Sequence, residues 1–165
     1  MSDEQRPPSA GRPGMPRGYG IAQGAEGVMA WDHAVDQLTA SRNYWITSTR
    51  PDGRPHAMPV WGVWIDGALI FSTDRTSRKA RNIAARPAIV VHLESGDDMV
   101  VLEGVAEVLT DAALLARYVE AYGAKYHVRP DPADAGNVTL ALRPSVAFAW
   151  LERDFPNTAT RWVFG

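Results

Sequence analysis

The chain has 165 residues, of which 45% are hydrophobic and 22% charged, a composition typical of one globular domain. The formal net charge is −2, and this balance argues against a nucleic-acid-binding protein, which needs a clustered excess of Lys and Arg. The absence of cysteine excludes disulfides, thiolate metal sites and cysteine nucleophiles.

Residues 1–27 are rich in proline and glycine and lack the apolar centre of a signal peptide, so they predict a flexible N-terminal arm. The alternative is an arm that folds over a partner subunit or ligand through Arg6, Arg12 and Arg17. Residues 28–165 form the predicted folded domain. No apolar run reaches the roughly 18 residues of a membrane helix, so we expect a cytoplasmic protein that does not enter a membrane.

The folded part begins with a predicted helix over 31–40, followed by a strand over 44–49 that is rich in β-branched and aromatic residues. A second strand, over about 55–65, is predicted to pair with the first. Pro55 and Pro59 cannot donate ladder hydrogen bonds, which places part of this strand at an edge, a bulge or a ligand contact.

The remaining chain predicts an antiparallel arrangement with few helices. Gly104 is expected to bend or bulge its strand, Asp111 to cap a helix, Pro144 to separate two strands, and 154–157 to form a turn. The predicted strands are 68–73, 88–93, 99–109, 138–142, 145–151 and 160–164, and the predicted helices are 76–85 and 111–126. Six or seven strands with two or three helices predict a mainly β fold, a closed or split barrel.

Residues 72–81 carry four hydroxyl and four cationic side chains where a strand ends and a helix begins. Thr73 and Ser77 can donate hydrogen bonds to a phosphate, while Arg78 and Lys79 supply charge beside the free N–H groups of the helix. The alternative is a helix start with a solvated basic face. The upstream hairpin favours the phosphate site.

Few other residues indicate chemistry. The four histidines lack metal-site spacing, so we expect no metal and structural or surface roles, with His56 the exception because it begins the strand aimed at the phosphate site. No G-x-S-x-G motif supports hydrolysis. Trp61 and Trp162 are placed where an indole ring could stack on a planar ligand.

Four segments occur in a recognisable order: Pro-Asp-Gly-Arg-Pro-His at 51–56, Phe-Ser-Thr at 71–73, Ser-Arg-Lys-Ala-Arg-Asn-Ile at 77–83 and Leu-Glu-Gly-Val-Ala-Glu at 102–107. With this pattern, residues 31–165 resemble the pyridoxamine 5′-phosphate oxidase-like family of flavin and deazaflavin oxidoreductases. The resemblance implies a six-stranded antiparallel split β-barrel, the FMN-binding split barrel. It also implies a homodimer with the cofactor in a groove between subunits.

The resemblance implies that the cofactor is FMN or the deazaflavin coenzyme F-420, between which the residues do not decide. The implied cofactor-binding residues are His56, Met58, Pro59, Val60 and Trp61 beside the ring, Ser72, Thr73, Ser77, Arg78 and Lys79 near the phosphate, and Arg161 and Trp162 reaching a neighbouring subunit's cofactor. The chain ends Ala-Thr-Arg-Trp-Val-Phe at 159–164 and lacks the family's Arg-x-His substrate motif, so pyridoxamine phosphate oxidation is not expected.

The expected function is therefore an oxidoreductase that passes a hydride or electrons between the cofactor ring and a small organic substrate. Its catalytic residues remain unassigned, because in such enzymes the cofactor carries the chemistry. The alternative is a non-catalytic carrier of a flavin, haem or tetrapyrrole on the same barrel. An oligonucleotide-binding barrel is disfavoured by the net charge and by the lack of a basic, aromatic stripe.

Overall fold

The computed structural model describes residues 8–165. In this part of the chain the strands are β1 (Ser9–Gly11), β2 (Tyr44–Thr49), β3 (Pro55–Val60), β4 (Val63–Ile65), β5 (Ala68–Asp74), β6 (Ala88–His92), β7 (Asp98–Val108), β8 (Asn137–Leu151) and β9 (Thr160–Val163). The helices are α1 (Trp31–Ala40), α2 (Arg78–Ala85), α3 (Ala112–Tyr126) and α4 (Phe155–Thr158), with 3-10 turns at Arg17–Tyr19 and Glu152–Asp154.

All strand pairs are antiparallel, in the order β1-β9-β8-β7-β6-β2-β3, and β5 pairs with both β4 and β8. This confirms the predicted class, a mainly β antiparallel fold with flanking helices, although the described residues form nine strands rather than six or seven. β3 lies at the end of the strand order, which is one of the three placements predicted from its two prolines.

The strands predicted over 138–142 and 145–151 are confirmed, but their predicted separation at Pro144 is wrong, because β8 runs unbroken through that residue. The predicted irregularity at Gly104 is confirmed, since the register between β7 and β8 shifts between Glu103 and Gly104, which is opposite Pro144. A Cβ on Gly104 would lie 2.5 Å from the carbonyl oxygen of Arg143. The glycine thus lets β7 approach β8 where proline interrupts the ladder.

The single strand predicted over 55–65 is also wrong: β3 ends at Val60 and β4 begins at Val63, so Trp61 lies outside both. The break is held by α3. The buried N–H of Gly62 donates to the hydroxyl of Tyr126 (3.0 Å), and the Gly62 carbonyl oxygen accepts from the Nζ of Lys125 (3.1 Å). These bonds replace strand pairing at Gly62.

The N-terminal segment contains a strand that was not predicted, β1, which pairs with β9. Arg12 follows it and donates hydrogen bonds to backbone carbonyl oxygens of its own chain, those of Gly24, Glu26, Asn157 and Ala159. The predicted flexibility of residues 1–27 stays a prediction, and Arg6 lies outside the described residues. The turn predicted over 154–157 is instead a short helical segment.

The sheet buries two apolar cores, and β5 contributes to both. Leu69 and Phe71 point into the main core, which α1 and α2 cover, whereas Ile70 joins a smaller core with Tyr118 and Tyr126 of α3. This alternation follows from the two-residue period of a strand.

The opposite face of the main sheet carries a second, half-buried apolar surface. Register places one row of side chains across neighbouring strands: Pro59, Trp45, His92, Val101 and Phe148. The rings of Trp45 and His92 are parallel, with centroids 6.1 Å apart. We call this row the outer apolar row.

Candidate functional site

The start of α2 combines hydroxyl groups with free backbone donors. The Oγ of Ser77, the N-cap residue, accepts the N–H of Ala80 (3.1 Å) and lies 3.2 Å from the Oγ1 of Thr73. The N–H groups of Arg78 and Lys79, in the first turn, have no carbonyl partner within the helix. Predicted residues Thr73, Ser77, Arg78 and Lys79 therefore lie together.

Three cations near this helix start, Arg50, Arg78 and Lys79, lack a carboxylate partner, and we call them the cation cluster. Four ion pairs occur within residues 8–165, and none includes Arg50, Arg78 or Lys79. Partial burial lowers the pKa of Lys79 below its ordinary value. An unpaired and partly desolvated ammonium group is stabilised by a nearby anion, so the charges of this cluster favour an anionic ligand.

A buried polar chain connects β3 to α2 beside these cations. The Nδ2 of Asn82, a residue with no exposed surface, donates to the Oγ of Ser48 (3.1 Å), and that hydroxyl lies 3.5 Å from the carbonyl oxygen of His56. Three buried atoms here have no hydrogen-bond partner among the described residues: His56 Nδ1, Arg50 Nε and Asn82 Oδ1. Buried polar atoms are normally paired, so these unsatisfied atoms indicate a place for a polar ligand or water.

The nearby positive charges affect the pKa of the His56 imidazole. Burial lowers its pKa below the ordinary value, and the charges of Arg50, Lys79 and Arg78 lower it further. The imidazole is therefore held in its neutral form in the absence of an anion.

Three residues of this site were not predicted from the sequence: Ser48, Arg50 and Asn82. The hairpin turn at 51–53 was a usable signal for two of them, since it pairs β2 with β3 and places Ser48 opposite His56, with Arg50 just beyond the end of β2. Asn82 had no such signal, because its role depends on how α2 packs against β2.

Ser72 does not join the predicted phosphate residues. Its Oγ lies 3.0 Å from the hydroxyl of Tyr118 and 2.8 Å from the Oγ1 of Thr139. Ser72 therefore faces α3, on the opposite side of β5 from Thr73. Its hydroxyl ties α3 to β5 and β8.

β3 forms an exposed edge beside the cation cluster. Met58 is 49% exposed and Pro59 is also exposed, whereas the side chain of Val60 is buried in the main core. His56 lies at the end of β3 nearest α2, and Trp61 follows the other end. A strand paired on only one side leaves backbone N–H and C=O groups free on the other.

Trp61 belongs to an aromatic and cationic group that we call the Trp61 cluster, made of Arg42, Trp61, Tyr122, Lys125 and Tyr126. Trp61 is 39% exposed, and its ring lies parallel to the Tyr126 ring. The guanidinium carbon of Arg42 lies 5.1 Å from the centroid of the Trp61 ring. The orientation of Trp61 is therefore set by neighbours that sequence reasoning did not identify.

Lys125 connects the Trp61 cluster to the sheet through hydrogen bonds. Its Nζ donates to the hydroxyl of Tyr44 (2.8 Å) and to the carbonyl oxygen of Gly62 (3.1 Å). Burial and the charge of Arg42 lower the pKa of Lys125 to about 8.

The two candidates on β9 face opposite directions. Trp162 is 1% exposed and packs edge-to-face against Trp31, with centroids 5.2 Å apart, so its ring is a core element within this chain. Arg161 pairs with Phe148 and lies on the other face, in line with the outer apolar row. Of the two residues, only Arg161 points away from the core.

Two further features bear on the kind of site. Residues 8–165 contain no group of three or more His, Asp or Glu side chains that could hold a metal ion. None of the helices in the same residues combines the length and the apolar character needed to span a bilayer.

Comparisons with known proteins place the chain in a family. The family model for pyridoxamine 5′-phosphate oxidase matches residues 30–151. The crystal structure of conserved hypothetical protein Rv2991 from Mycobacterium tuberculosis is 26% identical, with a TM-score of 0.68 over 81% of this chain and 91% of that chain. No curated protein sequence matches the chain.

Two other solved structures share the fold at lower identity. An F420 reductase is 24% identical, with a TM-score of 0.56 over 68% of this chain and 93% of that chain. A heme binding protein from Mycobacterium smegmatis is 19% identical, with a TM-score of 0.58 over 72% of this chain and 51% of that chain. With the family match over most of its length and its antiparallel sheet, the chain belongs to the pyridoxamine 5′-phosphate oxidase-like split-barrel family.

Proposed function

We propose that the protein is an oxidoreductase that binds FMN or the deazaflavin coenzyme F-420 and acts on a small organic substrate. The observation that carries the proposal is the group of unpaired cations and hydroxyls at the start of α2, directly beside the exposed edge strand β3. When bound, such a cofactor supplies hydride or electron transfer, which this chain's own side chains do not provide.

The residues at the start of α2 fit a phosphate group. Arg78 and Lys79 provide charge, Thr73 and Ser77 provide hydroxyls, and the first-turn N–H groups point toward the same end of the helix. The buried, unpartnered atoms nearby add polar groups that need a ligand or water. Ser72 is left out of this set because it faces α3.

β3 fits the polar edge of a flat ring. Its backbone pairs with β2 on one side, and the exposed side chains of Met58 and Pro59 lie along it. At its far end, the half-exposed ring of Trp61 is held by Tyr126. These groups would orient a ring and shield one side of it from water.

The outer apolar row supports a homodimer. Trp45, Val101 and Phe148 stay only half-buried within one chain, and contiguous apolar surface of this kind marks an interaction site. The row starts at Pro59 of β3, the strand proposed to face the cofactor ring. A second copy that covers the row would therefore lie next to the cofactor. Arg161, in line with the row, would then lie at the subunit boundary.

Carriage of a flavin, haem or tetrapyrrole without catalysis is the second candidate. The unpartnered Nδ1 of His56 favours it, because neutral imidazole is a common haem ligand. Turnover separates the two functions: a cofactor that binds but is never reduced by NAD(P)H, or by reduced deazaflavin with any acceptor, favours the carrier.

The proposed function is tested by adding FMN and coenzyme F-420 separately to the purified protein and following absorbance. We expect one of them to bind, and the single variants Arg78→Ala and Lys79→Ala each to weaken binding by about 1–3 kcal/mol, the range for hydrogen bonds to charged groups. The matched control is Arg81→Ala, an exposed cation one turn further along α2. Protein that binds neither cofactor would contradict the proposal.

A further inference from the structure

We propose that the cation cluster at the start of α2 selects a phosphate monoester over a phosphate diester and takes up a proton on His56 when the monoester binds. The inference rests on the proposed function, which places the cofactor's phosphate in this cluster. It decides between the two cofactors, because the phosphate of FMN is a monoester and the phosphate of coenzyme F-420 is a diester.

The first step is a match of charge. A phosphate monoester carries about −1.5 to −2 charge at neutral pH, whereas a diester carries a single negative charge at any pH above strong acid. The cluster offers Arg50 from the end of β2 and Arg78 and Lys79 from α2, none of them in an ion pair within residues 8–165. Three unpaired cations balance a dianion better than a monoanion.

The second step is the position of His56. Its Nδ1 is buried and has no partner, so the ring has an unused hydrogen-bonding atom inside the cluster. The residue itself is fixed, because it pairs with Ser48 across β2 and β3, and the Ser48 hydroxyl is bonded to the buried Asn82 of α2. The backbone of His56 is therefore held beside the cations that act on its imidazole.

The third step is the direction of the proton. Burial and the charges of Arg50, Lys79 and Arg78 hold the pKa of His56 below its ordinary value. A dianion bound among these three cations offsets most of their positive charge and, in contact with the imidazole, favours the imidazolium form, which can then donate a hydrogen bond to a phosphate oxygen. A diester offers less charge and one fewer free oxygen, so it induces this change less strongly.

The other charged groups around His56 do not replace the ligand. In the hairpin turn, Asp52 is paired with Arg54 (2.8 Å), and before α2 the Oδ1 of Asp74 accepts from the N–H and hydroxyl of Thr76 (both 2.6 Å). The cations Arg50, Arg78 and Lys79 complete the charged groups that face the imidazole from β2 and α2. Asp52 also interacts electrostatically with Arg50, but within residues 8–165 no carboxylate forms an ion pair with Arg50, Arg78 or Lys79.

The test uses two small probes, phenyl phosphate and its methyl diester, with the full chain and no cofactor. Calorimetric titrations at pH 7.5 in two buffers of different ionisation enthalpy measure affinity and proton exchange together. We expect the monoester to bind roughly tenfold tighter or more, the factor that one further hydrogen bond to a charged group supplies. We also expect proton uptake with the monoester and little with the diester.

The variant His56→Gln keeps a polar side chain that cannot take up a proton, and it is expected to lose both the proton uptake and most of the monoester preference. His127→Gln is the matched control, since His127 is an exposed histidine that directly follows α3. If the His56 variant is unstable, the two-buffer titration of the unaltered protein still measures whether monoester binding is accompanied by proton uptake.

Equal affinity for the two probes, absence of phenyl phosphate binding, or monoester binding without proton uptake would each overturn the inference. Flavin or deazaflavin binding by a protein that treats the probes alike would leave the proposed function standing. If the protein prefers the monoester and takes up a proton but binds neither FMN nor coenzyme F-420, the inference about phosphate selectivity is supported. The proposed function is then contradicted.

Discussion

The indole ring of Trp61 lies parallel to the phenol ring of Tyr126, with centroids 4.7 Å apart and 6° between the ring planes. Trp61 follows the last residue of β3, while Tyr126 is the last residue of α3. The hydroxyl of Tyr126 also contacts the N–H and carbonyl of Gly62, so the helix sets both the backbone break and the ring next to it. The Trp61 end of the exposed β3 edge is therefore built by α3 rather than by the sheet.

Replacing Tyr126 by Phe should lower the free energy of unfolding by about 1–3 kcal/mol, because the N–H of the buried Gly62 loses its partner. Urea unfolding at neutral pH measures the change. Tyr122→Phe is the control, since no hydrogen bond of the Tyr122 hydroxyl occurs within residues 8–165, and it should change stability much less. Equal effects of the two substitutions would show that the Tyr126 hydroxyl does not hold the break.

Lys125 should make stability depend on alkaline pH. Its pKa in the folded protein is about 8 and its ordinary value is 10.5, so between these values the unfolded chain binds more protons than the folded one. Stability contributed by this group therefore increases as pH rises from 8 toward 10. Comparing urea unfolding of the unaltered protein with Lys125→Met across this range should show a growing difference in favour of the lysine, and a constant difference would contradict the prediction.

Ser77→Ala should have two effects that a second helix cap separates. Loss of the Ser77 cap on Ala80 should cost about 0.5–2 kcal/mol of stability, and loss of its hydroxyl should weaken binding of the cofactor. Asp111→Ala removes the equivalent cap of α3, where the Oδ1 of Asp111 accepts from Leu114 (2.7 Å), and should cost similar stability with no loss of affinity. Thermal unfolding and ligand titration on both variants check this, and parallel losses of affinity would place Ser77 outside the site.

Gly104→Ala should destabilise the protein by about 1–3 kcal/mol or more, because the added Cβ would lie 2.5 Å from a backbone oxygen of β8 that cannot move aside cheaply. Gly96→Ala is the control, since a Cβ there would have no neighbour within 4 Å. Chemical unfolding of both variants measures the difference. Similar midpoints would mean that β7 and β8 adjust at this position.

The outer apolar row predicts the oligomeric state. We expect a dimer in analytical ultracentrifugation and a shift toward monomer in Val101→Lys, because a buried ammonium group would lack a partner at the interface. Val128→Lys, at an exposed position after α3, should remain dimeric. A monomeric unaltered protein would contradict the proposed assembly.

The elements that local chemistry determines were predictable from the sequence. The Asp111 cap, the extent of α3 and the hairpin of β2 and β3 depend on residues close together in the chain, and the structure confirms them. The cap at Ser77 belongs to the same class, although α2 begins at Arg78, two residues later than predicted.

The features that the sequence did not reveal depend on contacts between distant segments. The break after Val60 depends on hydrogen bonds with α3, which begins more than fifty residues later. Ser72 faces α3 because its hydroxyl accepts a hydrogen bond from the hydroxyl of Tyr118. Pro144 does not end a strand, since Gly104 of β7 accommodates it. The buried link from Ser48 to Asn82 likewise joins parts of the chain with no shared pattern.

The length of β8 has a consequence for how the chain folds. Its first part, up to Leu142, pairs with β5, residues 146–149 pair with β9, and β7 pairs with it from Leu140 to Leu151. The contacts with β5 close a loop of more than sixty residues, and long loops of this kind lower the rate at which native pairings form. We therefore expect the hairpin of β2 and β3 to assemble early and barrel closure through β8 to limit the folding rate.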